Sequence, residues 1–200
     1  LYPEQALVLW TAKKLGRPVR WQASRSETFL ADYQGRGQAA DAEMAFDADG
    51  KVLAFRVRVL ADLGAFLGPR GSTAPNMWRT MGASVYDFPA VDYEVRAIHT
   101  HNMPTSPYRG AGAPEAIFII ERLFDMAAAA LGLAPGAIRR RNLVPAAAMP
   151  FKTAIGTTLD SGDFALIMDS AEEMADLGNF EARKADSEAR GRRRGLGYGN

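Results

Sequence analysis

The chain has 200 residues, 48% of them hydrophobic, enough for one domain or slightly more with a proper core. With 24 Lys+Arg against 23 Asp+Glu the net charge is +1, which gives no general electrostatic reason to bind nucleic acid or a membrane surface. There is no cysteine, which excludes disulfides, thiolate metal sites, iron–sulfur ligation by this segment and a cysteine nucleophile; no apolar run approaches the ~20 residues of a membrane span and no signal-peptide pattern opens the chain, so a cytoplasmic protein is expected.

In chain order, Pro3 to Leu15 reads as a helix with Ala6, Leu7, Leu9, Trp10 and Ala12 on its apolar side and Gly16 as its stop. Pro18 to Trp21 reads as a short strand, and Ser24-Arg25-Ser26-Glu27 as a cap leading into a short turn of helix. The clearest β signal follows. Ala40, Ala42, Met44 and Phe46 alternate with Asp41, Glu43 and Ala45; after the turn at Asp47 to Gly50, Leu53, Phe55, Val57 and Val59 return with Arg56 and Arg58 between them. This predicts an antiparallel hairpin with Asp41 and Glu43 facing Arg56 and Arg58, pairs worth only a few tenths of a kcal/mol each if exposed.

Gly64 to Gly71 is loop-like, Thr73 to Thr80 fits a short helix, and Val91 to His99 reads as a strand. Met103 to Gly112 has no usable period, as expected of a functional loop. From Pro114 the period becomes helical, with Ile117, Ile120, Phe124, Ala127 and Leu131 on one stripe over roughly 27 Å, ended by Gly132. Pro135 to Asn142 gives a second helix whose last turn holds Arg139, Arg140 and Arg141, favourable to its dipole. Ser161 to Leu177 reads as a third, capped by Ser161, and Phe180 to Arg190 as a fourth. The fold class expected is α+β, antiparallel hairpins packed with several helices. The expected organisation is a main body over about 1–145, a helical extension over about 151–192 and the start of a further strand at 193–200.

Among candidate sites, Tyr108 to Glu115 stands out. Two glycines and an arginine precede the long helix, where the backbone can approach a ligand closely and the helix N-terminus favours an anionic or oxygen-bearing group. A turn followed by a Pro-started helix has the same sequence, and Arg109 could equally tie the loop to Glu115. His99 and His101 would share a face if both lay on a strand, but no third metal ligand is indicated beyond Asp92 and Glu94 nearby. A dinucleotide fingerprint fails, since Glu115 stands where its third glycine belongs and no hydrophobic strand precedes the loop. The Arg139–Arg141 run and the Arg190, Arg192, Arg193, Arg194 cluster could bind phosphate or nucleic acid, although helix-dipole matching and a solvated linker explain them.

Three segments together resemble the molybdenum-cofactor subunit of the molybdenum hydroxylases, the family of xanthine dehydrogenase, aldehyde oxidase and the large subunit of aerobic carbon monoxide dehydrogenase. They are Leu15 to Arg20 with Ser24 to Glu27; Leu60 to Phe66; and Tyr108 to Gly112, continuing through Ile119 to Leu123 and Ile138 to Leu143. The resemblance implies oxidative hydroxylation of an aldehyde or N-heterocycle with water-derived oxygen at a molybdenum–molybdopterin cofactor, electrons leaving through iron–sulfur and FAD partners in a homodimeric assembly. It implies that Arg109 contacts the molybdenum centre through its backbone amide, that Gly110 belongs to the cofactor loop and that Ala111 lines the substrate pocket.

Departures from the family pattern narrow the expectation. Alanine at 111 cannot stack a purine as the phenylalanine of xanthine-type enzymes does. Without a cysteine at 110 the copper–molybdenum site of carbon monoxide dehydrogenases is not available, and Ala113 stands where many relatives have arginine. The family's Gly-Gly-Phe-Gly loop would precede Leu1 and its glutamate base would follow Asn200, so the chain is expected to be an internal fragment, without turnover alone. The alternative is a non-enzymatic interaction module that kept the fold without the cofactor.

Overall fold

A computed structural model describes residues 3–200; the opening Leu1 and Tyr2 lie outside the described residues. In chain order the elements are α1 (Pro3–Leu15), α2 (Arg25–Ala31), β1 (Gln38–Phe46), β2 (Val52–Asp62), α3 (Thr73–Asn76), α4 (Trp78–Met81), β3 (Val91–Ile98), α5 (Ala113–Leu131), α6 (Pro135–Asn142), β4 (Phe151–Lys152), β5 (Thr158–Leu159), α7 (Phe164–Met174) and α8 (Phe180–Ala189). The architecture is α+β, as the pattern of alternating and helical segments predicts.

The main sheet has the order β1-β2-β3. β1 and β2 form the expected antiparallel pair, with Asp41 opposite Arg58 and Glu43 opposite Arg56. β3 instead runs parallel to β2, Phe55 aligning with Val91 and Asp62 with Ile98. A parallel return needs a crossover, and residues 63–90, with α3 and α4, supply it. β2 is central, so its period of two separates a dry face from a charged one: Phe55, Val57, Val59 and Ala61 are buried, while Arg56 and Arg58 join an ion-pair ladder with Glu43, Asp92 and Glu94 across the open face.

α5 packs on the dry face. Its buried stripe is Ala116, Ile120, Phe124 and Ala128, each four residues on from the last, with Glu121 beside it. Of the expected stripe Ile120 and Phe124 are fully buried, whereas Ile117 and Ala127 are only partly buried and Leu131 is 38% exposed. Phe124 meets Tyr86 at 4.5 Å between ring centroids, and Phe46, Phe55 and Phe88 complete an aromatic cluster between sheet and helix. Asn142 fastens the β1–β2 turn to α6: its Oδ1 accepts from the Val52 amide at 2.8 Å and its Nδ2 donates to the Gly50 carbonyl at 2.8 Å.

Several local expectations are corrected. Pro18 to Trp21 forms no strand; it has no neighbour to share a ladder with, and Pro18 has no N–H to donate. Thr73 to Thr80 divides into two short helices, α3 and α4. α7 begins at Phe164 and is capped by Asp163, whose Oδ1 accepts from the Leu166 amide at 3.0 Å, whereas Ser161 bonds Asp160. Residues 193–200 pair with no strand; they cross the helices instead and end with Asn200 held by Ser84, Tyr86 and Glu121. α1 buries none of its residues, so Leu9, expected on its packed side, is 71% exposed.

Candidate functional site

The loop before α5 is built from conformations that favour glycine. Gly110, Ala111 and Gly112 lie in the left-handed region with φ of 91, 49 and 103°. Two are glycines, but Ala111 carries a Cβ there at a cost of about 1 kcal/mol. Such strain persists only where the surroundings enforce it. They do: a Cβ on Gly112 would stand 2.2 Å from the Ala74 carbonyl oxygen of α3, and one on Gly110 would stand 2.6 Å from the Pro114 ring.

Within this loop the Ala111 amide donates to the Tyr108 carbonyl at 2.7 Å and the Ala113 amide to the Gly110 carbonyl at 2.9 Å. The amides of Arg109, Gly110 and Gly112 donate to no acceptor among the described residues. Three free N–H donors thus sit at the positive end of a 19-residue helix. This arrangement can hold an acceptor-rich ligand by backbone donation, with glycines where a side chain would stand in the way.

Arg109 does not tie the loop to Glu115. Its side chain is exposed and donates to no acceptor among the described residues. Arg36 makes that tie instead: Nη1 donates to Glu115 Oε2 at 2.8 Å, Nη2 donates to the Arg109 carbonyl at 2.5 Å, and the guanidinium lies 5.1 Å from the Tyr108 ring centroid. Sequence reasoning missed Arg36. The available signal was the tripeptide Gly35-Arg36-Gly37, in which Arg36 has φ 63°.

Asp62, in the second recognisable segment, organises the corner beneath the loop. Its carboxylate accepts from the Gly64 amide at 2.7 Å, Thr100 Oγ1 at 2.7 Å and Asn102 Nδ2 at 2.6 Å. The Asn102 and Thr100 bonds hold its pKa below the usual carboxylate value, outweighing desolvation. Its main-chain carbonyl accepts from Thr105 Oγ1 at 2.9 Å, at the start of the Tyr108 loop.

The other candidates separate. His99 and His101 lie just past the end of β3, so strand alternation does not align them; His99 Nδ1 is 3.1 Å from the Gly64 carbonyl. Asp92 is engaged by Arg56 and Arg58, and no group of three or more potential metal ligands occurs among the described residues. The arginine run serves the fold. Arg139 is fully buried, its Nε donating to Glu121 at 2.5 Å, its Nη2 to Asp125 at 2.8 Å and its Nη1 to the Pro135 carbonyl at 3.0 Å. Desolvation pulls its pKa down, but the bonds to the two carboxylates prevail and hold it up. Burial, then the Glu121 charge, pushes the Tyr86 phenol well above its ordinary value. Arg140 pairs with Asp169 and Glu172, Arg190 with Asp186, and Arg194 donates to Ser187. A cleft of about 1070 Å³ lies away from the loop, between α6, α8 and the tail, near Arg140, Lys184 and Tyr198.

The chain is also similar to known proteins. Residues 1–143 match the family described as the molybdopterin cofactor-binding domain. The chain is 31% identical over 200 residues to the nicotine 6-hydroxylase large subunit of Paenarthrobacter nicotinovorans, covering 98% of this chain and 24% of that protein. It is 31% identical over 193 residues to the carbon monoxide dehydrogenase large chain of Hydrogenophaga pseudoflava, covering 95% and 24%. The crystal structure of quinoline 2-oxidoreductase from Pseudomonas putida 86 superimposes with a TM-score of 0.88 at 37% identity, over 96% of this chain and 25% of that one. The chain thus spans about a quarter of the length of these relatives. No helix among the described residues is long and apolar enough to cross a membrane.

Proposed function

The chain belongs to the molybdopterin cofactor-binding domain family of the molybdenum hydroxylases, and on that premise we propose that it forms part of the cofactor pocket of an oxidoreductase that hydroxylates an N-heterocycle. The observation that carries this reading is the strained loop at Gly110, Ala111 and Gly112, with its three free amides at the head of α5. Those donors fit a ligand rich in oxygen and sulfur acceptors. When bound, the molybdenum cofactor supplies the two-electron oxidation and the water-derived oxygen. This chain would supply orientation: Arg109 would donate its backbone amide toward the molybdenum centre, Gly110 would let the cofactor approach the backbone, and Ala111 would line the substrate side with a methyl group.

The small side chain at 111 leaves room for a flat ring without offering an aromatic face to stack on it. The names of two relatives, nicotine 6-hydroxylase and quinoline 2-oxidoreductase, support an N-heterocycle over an aldehyde. Electrons would then leave through iron–sulfur and FAD partners in a homodimeric, cytoplasmic assembly. The isolated segment would hold half of the pocket and turn nothing over, its main body at 1–145 carrying the loop and the later helices buttressing it.

The test uses the full-length protein made in a host that synthesises the cofactor. It should contain molybdenum and introduce ¹⁸O from labelled water into a pyridine or quinoline ring, with slower turnover of an aldehyde. A protein that lacks molybdenum would point to an interaction module instead.

A further inference from the structure

We infer that Arg36 is a positioning residue that aims the Gly110 amide at the cofactor, an inference that rests on the reading of the loop given above. A peptide unit is planar and trans, so the carbonyl of Arg109 and the N–H of Gly110 point in opposite directions from one rigid plate. Arg36 Nη2 holds that carbonyl at 2.5 Å, which turns the Gly110 N–H to the side away from Arg36. The second arm, Nη1, holds Glu115 Oε2 at 2.8 Å in the first turn of α5, so one planar guanidinium sets the loop against the helix.

The base of this device is fixed as well. Gln34 is bridged to Thr105; its amide donates to the Pro104 carbonyl at 3.1 Å and its carbonyl accepts from the Ser106 amide at 2.9 Å. A Cβ on Gly35 would stand 3.0 Å from the Tyr108 Cβ, so the two segments touch. Arg36 itself occupies a left-handed conformation, φ 63°, that glycine would adopt without strain. The side chain's three contacts, to the Arg109 carbonyl, Glu115 and the Tyr108 ring, account for an arginine at that position.

Arg36→Ala, Arg36→Lys and Glu115→Gln in the full-length protein test this, read by hydrogen exchange, metal content and kinetics together. In Arg36→Ala the exchange of the Ala111 and Ala113 amides should rise about tenfold, the loss of a charge-assisted hydrogen bond, while Phe124 and Ala128 stay protected. With molybdenum content unchanged, kcat should fall about tenfold and KM by less than about twofold, because the misdirected amide serves the reacting centre rather than substrate affinity. Arg36→Lys, which keeps one donor arm, should recover part of both effects, and Glu115→Gln should show a smaller version of them.

Unchanged loop exchange in Arg36→Ala would overturn the inference whatever the metal content, as would raised exchange with wild-type kcat in a molybdenum-loaded protein. A wild-type protein without molybdenum is a different failure, visible in metal analysis alone. It would overturn the cofactor reading and the role of Arg36 with it.

Discussion

Against the middle of α5 an arginine of α6 is completely committed, and just ahead of the N-terminus of α5 another arginine has nothing to hold. Arg139 is fully buried against Glu121, Asp125 and the Pro135 carbonyl, with Tyr86 and Asn200 completing the bonds to Glu121. Arg109 is exposed, and it precedes a loop with three left-handed residues and three free amides. The contrast separates two jobs around one helix. The buried cluster commits its polar groups to each other and holds the fold; the loop ahead of the helix keeps three donors free, as the proposed binding site requires.

The contrast is broken most severely at the buried cluster. Arg139→Leu leaves Glu121 without its cation in the core, and chemical denaturation of the full-length protein should show a loss of about 3–5 kcal/mol. Arg139→Lys should not restore it, since a single ammonium cannot reach Glu121, Asp125 and the Pro135 carbonyl together. A loss under about 1 kcal/mol in Arg139→Leu would place the network among surface ion pairs.

At the loop end, Gly112→Ala forces a Cβ toward the Ala74 carbonyl at a φ of 103°. The expected cost in stability is smaller, about 1–2 kcal/mol, but molybdenum content should fall with it. Wild-type metal content in a folded Gly112→Ala protein would show that the loop's shape does not matter to the cofactor.

The smallest effect belongs to the Asp62 corner. The folded-state pKa of Asp62 is depressed by its bonds from Asn102 and Thr100. Its contribution is therefore fully present above the unfolded value of 3.8 and is lost as pH falls through the lower folded value. Acid titration of wild type and Asp62→Asn should diverge above pH 3.8 and converge below it; parallel curves throughout would remove Asp62 from the account.

What could be read from the sequence follows from the range of the forces involved. The glycines of the Tyr108 loop, the Ser24–Glu27 capping box and the β1–β2 hairpin are local, set by residues within one turn of each other, and each forms as expected. Arg139 reaches carboxylates 14 and 18 positions away, so a run of three arginines could be read only as last-turn cations. Arg36 is 79 residues from Glu115. The parallel pairing of β3 was hidden because alternation fixes which side chains share a face and carries no strand direction. The α7 cap was misplaced by two residues because Ser161 and Asp163 are both good caps, and geometry alone chose Asp163.

The proposed role of the free amides of Arg109, Gly110 and Gly112 is to hold a molybdenum cofactor. The most direct measurement is the molybdenum and pterin content of the full-length wild-type protein, purified from a host that makes the cofactor. Near-stoichiometric molybdenum and pterin in the folded protein is the expected result. A folded, stable protein with neither would contradict it.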